Sequence, residues 1–294
     1  MKKLAKSIKR VGFIGNSEKA ASSGFISKAA QIISRGGRQI CSDPVTARMA
    51  NLKSKIYRDA ASLAKNVDLL LVFGGDGTML RAASEIAGST TPILGINLGG
   101  LGFLTAVSSN EIENALKRIL RGEYEIESRA LIQVDGRCSE IIISKCALND
   151  FVISRGIISK LITLEVSVDG QLLTRYRCDG LIVSSPTGST AYALSSGGAV
   201  VHPSADVFEL TPICPHTLSN RSVIVSLNST IQVRVVSPKP DIILSADGEM
   251  VSEMLPGETV TIRRSADSVR LLHLPGYSFF DTLRRKLNWS GANV

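Results

Sequence analysis

The sequence predicts a doubly wound parallel α/β domain followed by a mainly β, sandwich-like domain, with a C-terminal helix that returns to the first. Three observations carry this. Up to about residue 125, short apolar runs alternate with stretches of helical spacing, the pattern of a parallel sheet covered by helices. From Ser128 to about Arg264 the apolar residues recur with period two between turn residues, as in antiparallel strands. Helical spacing then comes back over Tyr277 to Trp289, with Phe279, Phe280, Leu283 and Leu287 on one side. The expected domains are 1–126 and 127–265, with 266–294 packing back on the first.

Taken in order, Val11 to Asn16 reads as a first strand and Glu18 to Ser34 as a helix closed by Gly36-Gly37. Arg38 to Cys41 is a second strand, and 44–65 is expected to be helical. Asp68 to Phe73 is an apolar run stopped by Gly74-Gly75, which suits a strand buried on both faces. After it Met79, Leu80, Ala82, Ala83 and Ile86 have helical spacing. Thr91 to Asn97 is the next strand, Leu98 to Phe103 a loop, and Glu111 to Leu120 a helix. In the β part the expected strands are Ile141 to Ile143, Phe151 to Ser154, Leu161 to Val168, Leu181 to Ser184, Val223 to Val225 and Ile231 to Val236. Asp169-Gly170 signals a hairpin, and Thr190 to Ala199 looks helical.

Composition excludes several functions. The 294 residues are 44% hydrophobic, enough for two cores, and no apolar run has the length of a membrane span. The basic N-terminus lacks the apolar segment of a signal peptide, so a cytoplasmic protein is expected. Five scattered cysteines and three histidines have no ligand spacing, which speaks against a disulfide framework or a metal site. The net charge of +8 comes from dispersed basic residues with no interleaved aromatics, so no nucleic-acid partner is expected; the charge suits a small polyanion equally.

The chemistry-bearing stretch is strand, Gly-Gly-Asp-Gly, helix. Glycines there let the backbone approach a phosphate, and amides at the helix start point towards it. Beside phosphates the Asp76 carboxylate would repel unless it organises a metal ion or accepts a proton from an attacking hydroxyl. The alternative is a tight turn in which the glycines only satisfy backbone angles. Two other polar stretches follow apolar runs. Arg177 to Tyr192 is dense in small polar residues, with Tyr192 offering a flat surface and Asp179 an acceptor; the alternative is an ordinary capped helix. Asn149-Asp150 can serve an adenine edge and ribose hydroxyls, or form an Asx turn. Neither a G-x-x-x-x-G-K-[ST] nor a G-x-G-x-x-G segment occurs.

GGDGTMLRAA (74–83), Asn149-Asp150, DGLIVSSPTGSTAYALSSGG (179–198), TPICPHTLSNRS (211–222) and FFDTLRRKLNW (279–289), in this order, resemble the bacterial NAD kinase family from about Val11 to Trp289. The resemblance implies a Rossmann-like first domain, a site between the two domains, and ATP-dependent phosphorylation of the 2′-hydroxyl of the adenosine ribose of NAD. By that match Asp76 is catalytic, and Gly74, Gly75, Gly77, Thr78 and Arg81 shape the phosphate loop for ATP. Asn149 and Asp150 match the adenosine-binding pair, and Thr190, Ala191, Tyr192, Ala193, Leu194 and Ser195 the segment around the adenine. Arg177 and Asp179 match positions that serve the pyrophosphate and nicotinamide side from a neighbouring subunit. Lys160 and Cys214 fall at ligand-lining positions. The resemblance implies Mg²⁺ or another divalent cation with ATP, and a homodimer or homotetramer. Three positions depart from the family pattern: Asp150 is one methylene shorter than the usual Glu, Cys178 replaces Gly or Ser, and Glu249 stands where Gln is usual. A lipid or sugar kinase is the nearest alternative, but it has no need of the 190–195 segment. A nucleic-acid-binding protein, the alternative from another class, would bind with steep salt dependence and without ATP turnover.

Overall fold

The computed structural model describes residues 8–16, 22–100, 102–156, 160–216, 221–238 and 242–289. The chain forms two compact units, Met1–Ser128 with Ser268–Val294, and Arg129–Asp267. Among the described residues no helix is long and apolar enough to cross a membrane.

The first unit runs β1 (Arg10–Gly15), α1 (Ser22–Arg35), β2 (Gln39–Ser42), α2 (Pro44–Met49), β3 (Lys55–Ile56), α3 (Ala60–Ala64), β4 (Leu69–Gly74), α4 (Asp76–Glu85), β5 (Ile93–Asn97), β6 (Val107–Ser108) and α5 (Ile112–Leu120). All its strand pairs from β3 to β6 are parallel, in the order β3-β2-β1-β4-β5-β6. Every residue of β4 is buried, as a sheet covered on both faces requires. Phe13, Phe73, Leu71, Ile96, Ile26, Ile33, Leu116 and Ile119 belong to one core, joining strands to α1 and α5.

Residues 44–65 do not form the single helical stretch expected. Asp43 caps α2, its carboxylate accepting the amides of Val45 and Thr46, and Asp59 caps α3 through Ser62. Asn51 at φ +46° stops the first helix, and Lys55–Ile56 pairs with β2 as an edge strand. Two cap residues and one left-handed residue thus outweigh the helical spacing. In the first helix Glu18 to Ala21 lie outside the described residues, and α1 extends one residue past Ser34 to Arg35.

The second unit holds β7 (Glu125–Cys138), β8 (Ile141–Ala147), β9 (Asp150–Arg155), β10 (Ile162–Val168), β11 (Gln171–Cys178), β12 (Gly180–Ser184), α6 (Tyr192–Ser195), β13 (Val207–Ile213), β14 (Val223–Ser226), β15 (Ile231–Val235), β16 (Ile242–Ala246), β17 (Glu249–Met254) and most of β18 (Thr259–His273). One sheet has the antiparallel order β14-β13-β12-β9-β16-β17. Strands β11, β10, β15 and β18 form the other face, and a single core takes Phe151, Leu181, Phe208 and Leu244 from the first and Leu164, Val166, Val233 and Ile262 from the second. The Asp169-Gly170 hairpin is as expected, with φ +51° and +79°. The expected helix over 190–199 is only a 3₁₀ turn, Gly188–Thr190, and the single turn α6. Left-handed Gly197 and the bond from the Gly198 amide to the Ala193 carbonyl close it early.

The chain returns to the first unit along β18, where Leu271 pairs in parallel with Ile93 of β5. Helix α7 (Phe279–Lys286) follows, capped by Ser278. It buries Phe279 and Leu283, whereas Phe280 of the expected apolar side is exposed.

Candidate active site

The strand order of the first unit reverses between β1 and β4, and the carboxyl ends flanking such a switch point are where open α/β sheets bind ligands. Gly15 ends β1 and Gly74 ends β4, and the side-chain Nδ2 of Asn16 donates to Thr78 Oγ1 at 3.3 Å. The turn explanation of Gly-Gly-Asp-Gly fails on geometry. Neither Gly74, Gly75 nor Gly77 has a positive φ; Gly75 sits at φ −103°, ψ −168°, open to any residue. Gly74 has a packing reason, since a Cβ there would lie 2.2 Å from Thr78 Oγ1. A Cβ on Gly75 or Gly77 would meet nothing within 4 Å. Those two glycines therefore serve neither angle nor packing, and they leave the start of α4 bare. Gly75 is the cap residue and makes no side-chain cap, so the helix end keeps its attraction for an anion.

Asp76 opens α4. Its Oδ2 accepts the Phe103 amide at 2.8 Å and its Oδ1 the Leu104 amide at 3.1 Å. Two amides fix the carboxylate and still leave each oxygen acceptor capacity. Nothing but the glycine density of 99–102 hinted at these partners. Arg81, one turn on, stands 3.8 Å from Glu85 with both side chains about half exposed, a pairing that holds Arg81 only weakly. Beside it a cavity of ≈ 410 Å³ opens, lined by Gly15, Asp43, Arg58, Asp59, Arg81 and Glu85 among others.

In the second unit Asn149 precedes β9 and Asp150 begins it, next to Ser184, the end of β12. The Asn149 carbonyl accepts the Ser185 amide at 2.8 Å, and a Cβ on Gly188 would lie 2.3 Å from that oxygen; hence glycine in the Pro186-Thr187-Gly188 loop. Asp247, at φ +49° in the β16–β17 turn, accepts the amides of Leu148, Asn149 and Asp150 at 2.8, 2.7 and 3.1 Å. It thereby fixes the backbone of the pair. Its importance was missed in the sequence, where only its neighbour Glu249 stood out. Asp150 is 5% exposed. Burial, then the nearby Asp247 carboxylate, pushes its pKa up to about 7; burial also raises Asp247, against the pull of its three amides.

A raised carboxyl has a definite consequence. Between the ordinary carboxylate range and pH 7 the folded state holds a proton on Asp150 that the unfolded state has lost, so stability falls as pH rises through that window. Asp150→Asn removes the ionisation. The melting temperature of Asp150→Asn relative to the parent is expected to climb from pH 5 to pH 8; a pH-independent difference would contradict the raised pKa.

Thr190, Ala191 and α6 follow the same loop. The Tyr192 ring is 47% exposed, while Ala193 is fully buried against Val152 and Ile182. Leu194 is half-buried and Ser195 exposed. The remaining residues lie at the opposite end of these strands. Asp179 precedes β12 and pairs with Arg155 at 2.7 Å, a partner the sequence did not mark. Its amide donates to the Ile213 carbonyl, next to exposed Cys214. Arg177 and Lys160 are exposed near the same end, since Cys178 pairs with Ile162. Because β12 has five residues, the two clusters stand about 15 Å apart. The buried thiols of Cys138 and Cys178 are pushed up to about 11 and about 12 by burial, which keeps them unreactive.

Known proteins resemble this chain over most of its length. The family model of the ATP-NAD kinase N-terminal domain matches residues 11–124, and that of the ATP-NAD kinase C-terminal domain residues 148–274. An NAD kinase of Polaromonas naphthalenivorans is 39% identical over 286 residues, 96% of this chain and 97% of that protein. One of Symbiobacterium thermophilum is 46% identical over 223 residues, 76% of this chain and 79% of that protein. Among solved structures, an NAD kinase from Archaeoglobus fulgidus in complex with ATP superposes with a TM-score of 0.75 at 26% identity, covering 96% of this chain and all (100%) of that one. A yeast NADH kinase complexed with NADH has the same fold, with a TM-score of 0.89 at 24% identity over 99% of this chain and 90% of that one. The chain belongs to the NAD kinase family.

Proposed function

We propose that the chain transfers the γ-phosphoryl group of ATP to the 2′-hydroxyl of the adenosine ribose of NAD, giving NADP and ADP. One observation carries the reading: Gly75 and Gly77 are required by neither backbone angle nor packing, and they flank a carboxylate held by two amides at a bare helix start. Phosphates fit against Gly74, Gly75, Gly77 and Thr78, with Arg81 beside them. As the 2′-oxygen bonds to the γ-phosphorus and the bond to the β,γ-bridging oxygen breaks, Asp76 takes the hydroxyl proton. The transfer is in line and forms no phosphoenzyme.

Asn149 and Asp150 hold the adenosine of NAD, with Thr190, Ala191 and Tyr192 around its base; Leu194 and Ser195 border the segment and Ala193 anchors it. Among the described residues no three His, Cys, Asp or Glu side chains are placed to hold a metal ion. Mg²⁺ keeps waters and phosphate oxygens as most of its ligands, so the divalent cation comes with ATP and neutralises phosphate charge. Both substrates are dissolved nucleotides, and we place the reaction in the cytoplasm. A turnover assay with NAD and Mg-ATP, read by an NADP-specific dehydrogenase, tests the reading. ATP consumption without NADP would overturn it.

We further infer a homo-oligomer in which Lys160, Arg177, Asp179 and Cys214, about 15 Å from Asp150 along β12, serve the NAD of a neighbouring subunit. Arg177→Ala is expected to lose NAD affinity while keeping its assembly. Mixed and reassociated with Asp76→Asn, it should regain activity, because mixed oligomers contain complete sites. Mixtures as inactive as their components would contradict a shared site.

A further inference from the structure

Thr105 directly follows Phe103 and Leu104, whose amides hold Asp76, and it is only 6% exposed. Its hydroxyl is buried and has no hydrogen-bond partner among the described residues. Folded proteins leave few such groups, and one that persists calls for a reason. The backbone around it is fixed: the Ala106 amide donates to the Gly95 carbonyl at 3.1 Å, and a Cβ on Gly95 would come within 3.0 Å of Thr105 Cα. What remains free is the side-chain rotation, for which threonine has two good positions.

Gly102 shows what the hydroxyl faces. A Cβ there would lie 2.1 Å from Asp76 Oδ1 and 2.6 Å from Thr105 Oγ1. Both oxygens thus border the space of one missing methyl group. Any other residue at 102 would fill it.

We propose that Thr105 is a positioning residue for Asp76: in the substrate-bound enzyme its hydroxyl donates to Oδ1. The inference rests on the reading of Asp76 as proton acceptor, and it makes that reading specific to one atom. Oδ1 already accepts the Leu104 amide, and with the Thr105 hydroxyl both its lone pairs are taken. Among the described residues Oδ2 accepts the Phe103 amide alone and keeps one lone pair. The proton of the ribose hydroxyl therefore goes to Oδ2, and Thr105 holds the carboxylate in the rotation that presents it.

Thr105→Val keeps the shape of the side chain and removes the donor. It is expected to lower kcat by about 10–100-fold, the worth of a hydrogen bond to a charged group, with KM for NAD within about twofold of the parent. Its melting temperature should stay level or rise, because a buried hydroxyl without a partner has been removed. Thr105→Ser should restore most of the rate. Parental kcat in Thr105→Val, or a Thr105→Ser as slow as the valine variant, would overturn the proposal. Asp76→Asn measured alongside separates the two ideas. Turnover lost there but kept in Thr105→Val removes Thr105 alone; turnover kept in both removes Asp76 as well.

Discussion

Asp76→Asn is expected to fold and bind NAD as the parent does and to lose roughly 10²–10⁴-fold in turnover, the range for removing a general base. The structure separates the two roles this residue could have. Asn retains an oxygen for one of the two amides that Asp76 accepts, those of Phe103 and Leu104, and Asn suits a helix start as well as Asp does. Its Nδ2 turns towards the other amide, which costs about 1–3 kcal/mol of stability, and the variant still folds. What Asn cannot do is take a proton from a hydroxyl. Calorimetry with NAD and thermal unfolding report the retained properties, and the steady-state rate reports the lost one. A variant with parental turnover would remove Asp76 from the chemistry.

Gly77→Ala is expected to move stability and activity in opposite directions. Gly77 lies inside α4 with open space where a Cβ would stand, and alanine is the better helix former by about 1 kcal/mol. The melting temperature should therefore rise. The added methyl, however, occupies the space from which phosphates are expected to approach the helix start. Turnover should fall by at least about tenfold, with the Michaelis constant for ATP raised more than that for NAD. A more stable variant with parental kinetics would show that no phosphate comes close to Gly77.

The pattern of these two predictions reflects what was legible in the sequence. Asp68 to Phe73 was read as a buried strand because an apolar run of that kind permits little else, and the strand found, Leu69–Gly74, is buried throughout. The alternating β region was equally readable. The long strands β7 and β18 were not, since Arg263, Arg264 and Asp267 interrupt the apolar alternation of Thr259–His273, and charge on an exposed face resembles a loop. Residues 44–65 misled because helical spacing says nothing of where two caps divide it. For the candidate site, glycine spacing and residue type drew attention to Asp76 and to Asn149-Asp150. Their partners were hidden: Asp247 holds Asp150 from 97 residues away, and the Phe103 amide holds Asp76 from 27 away. Only packing across the fold brings such groups together. Gly102 was read as part of a loop, and nothing local says that the space of its missing side chain borders two oxygens.

The most direct test of the phosphoryl-transfer assignment is the ³¹P spectrum of NAD and Mg-ATP incubated with the protein. The account predicts one new phosphate monoester, coupled to the ribose H2′ of the adenosine, for each ADP formed. Inorganic phosphate in place of that monoester, or a monoester on any other hydroxyl, would contradict it.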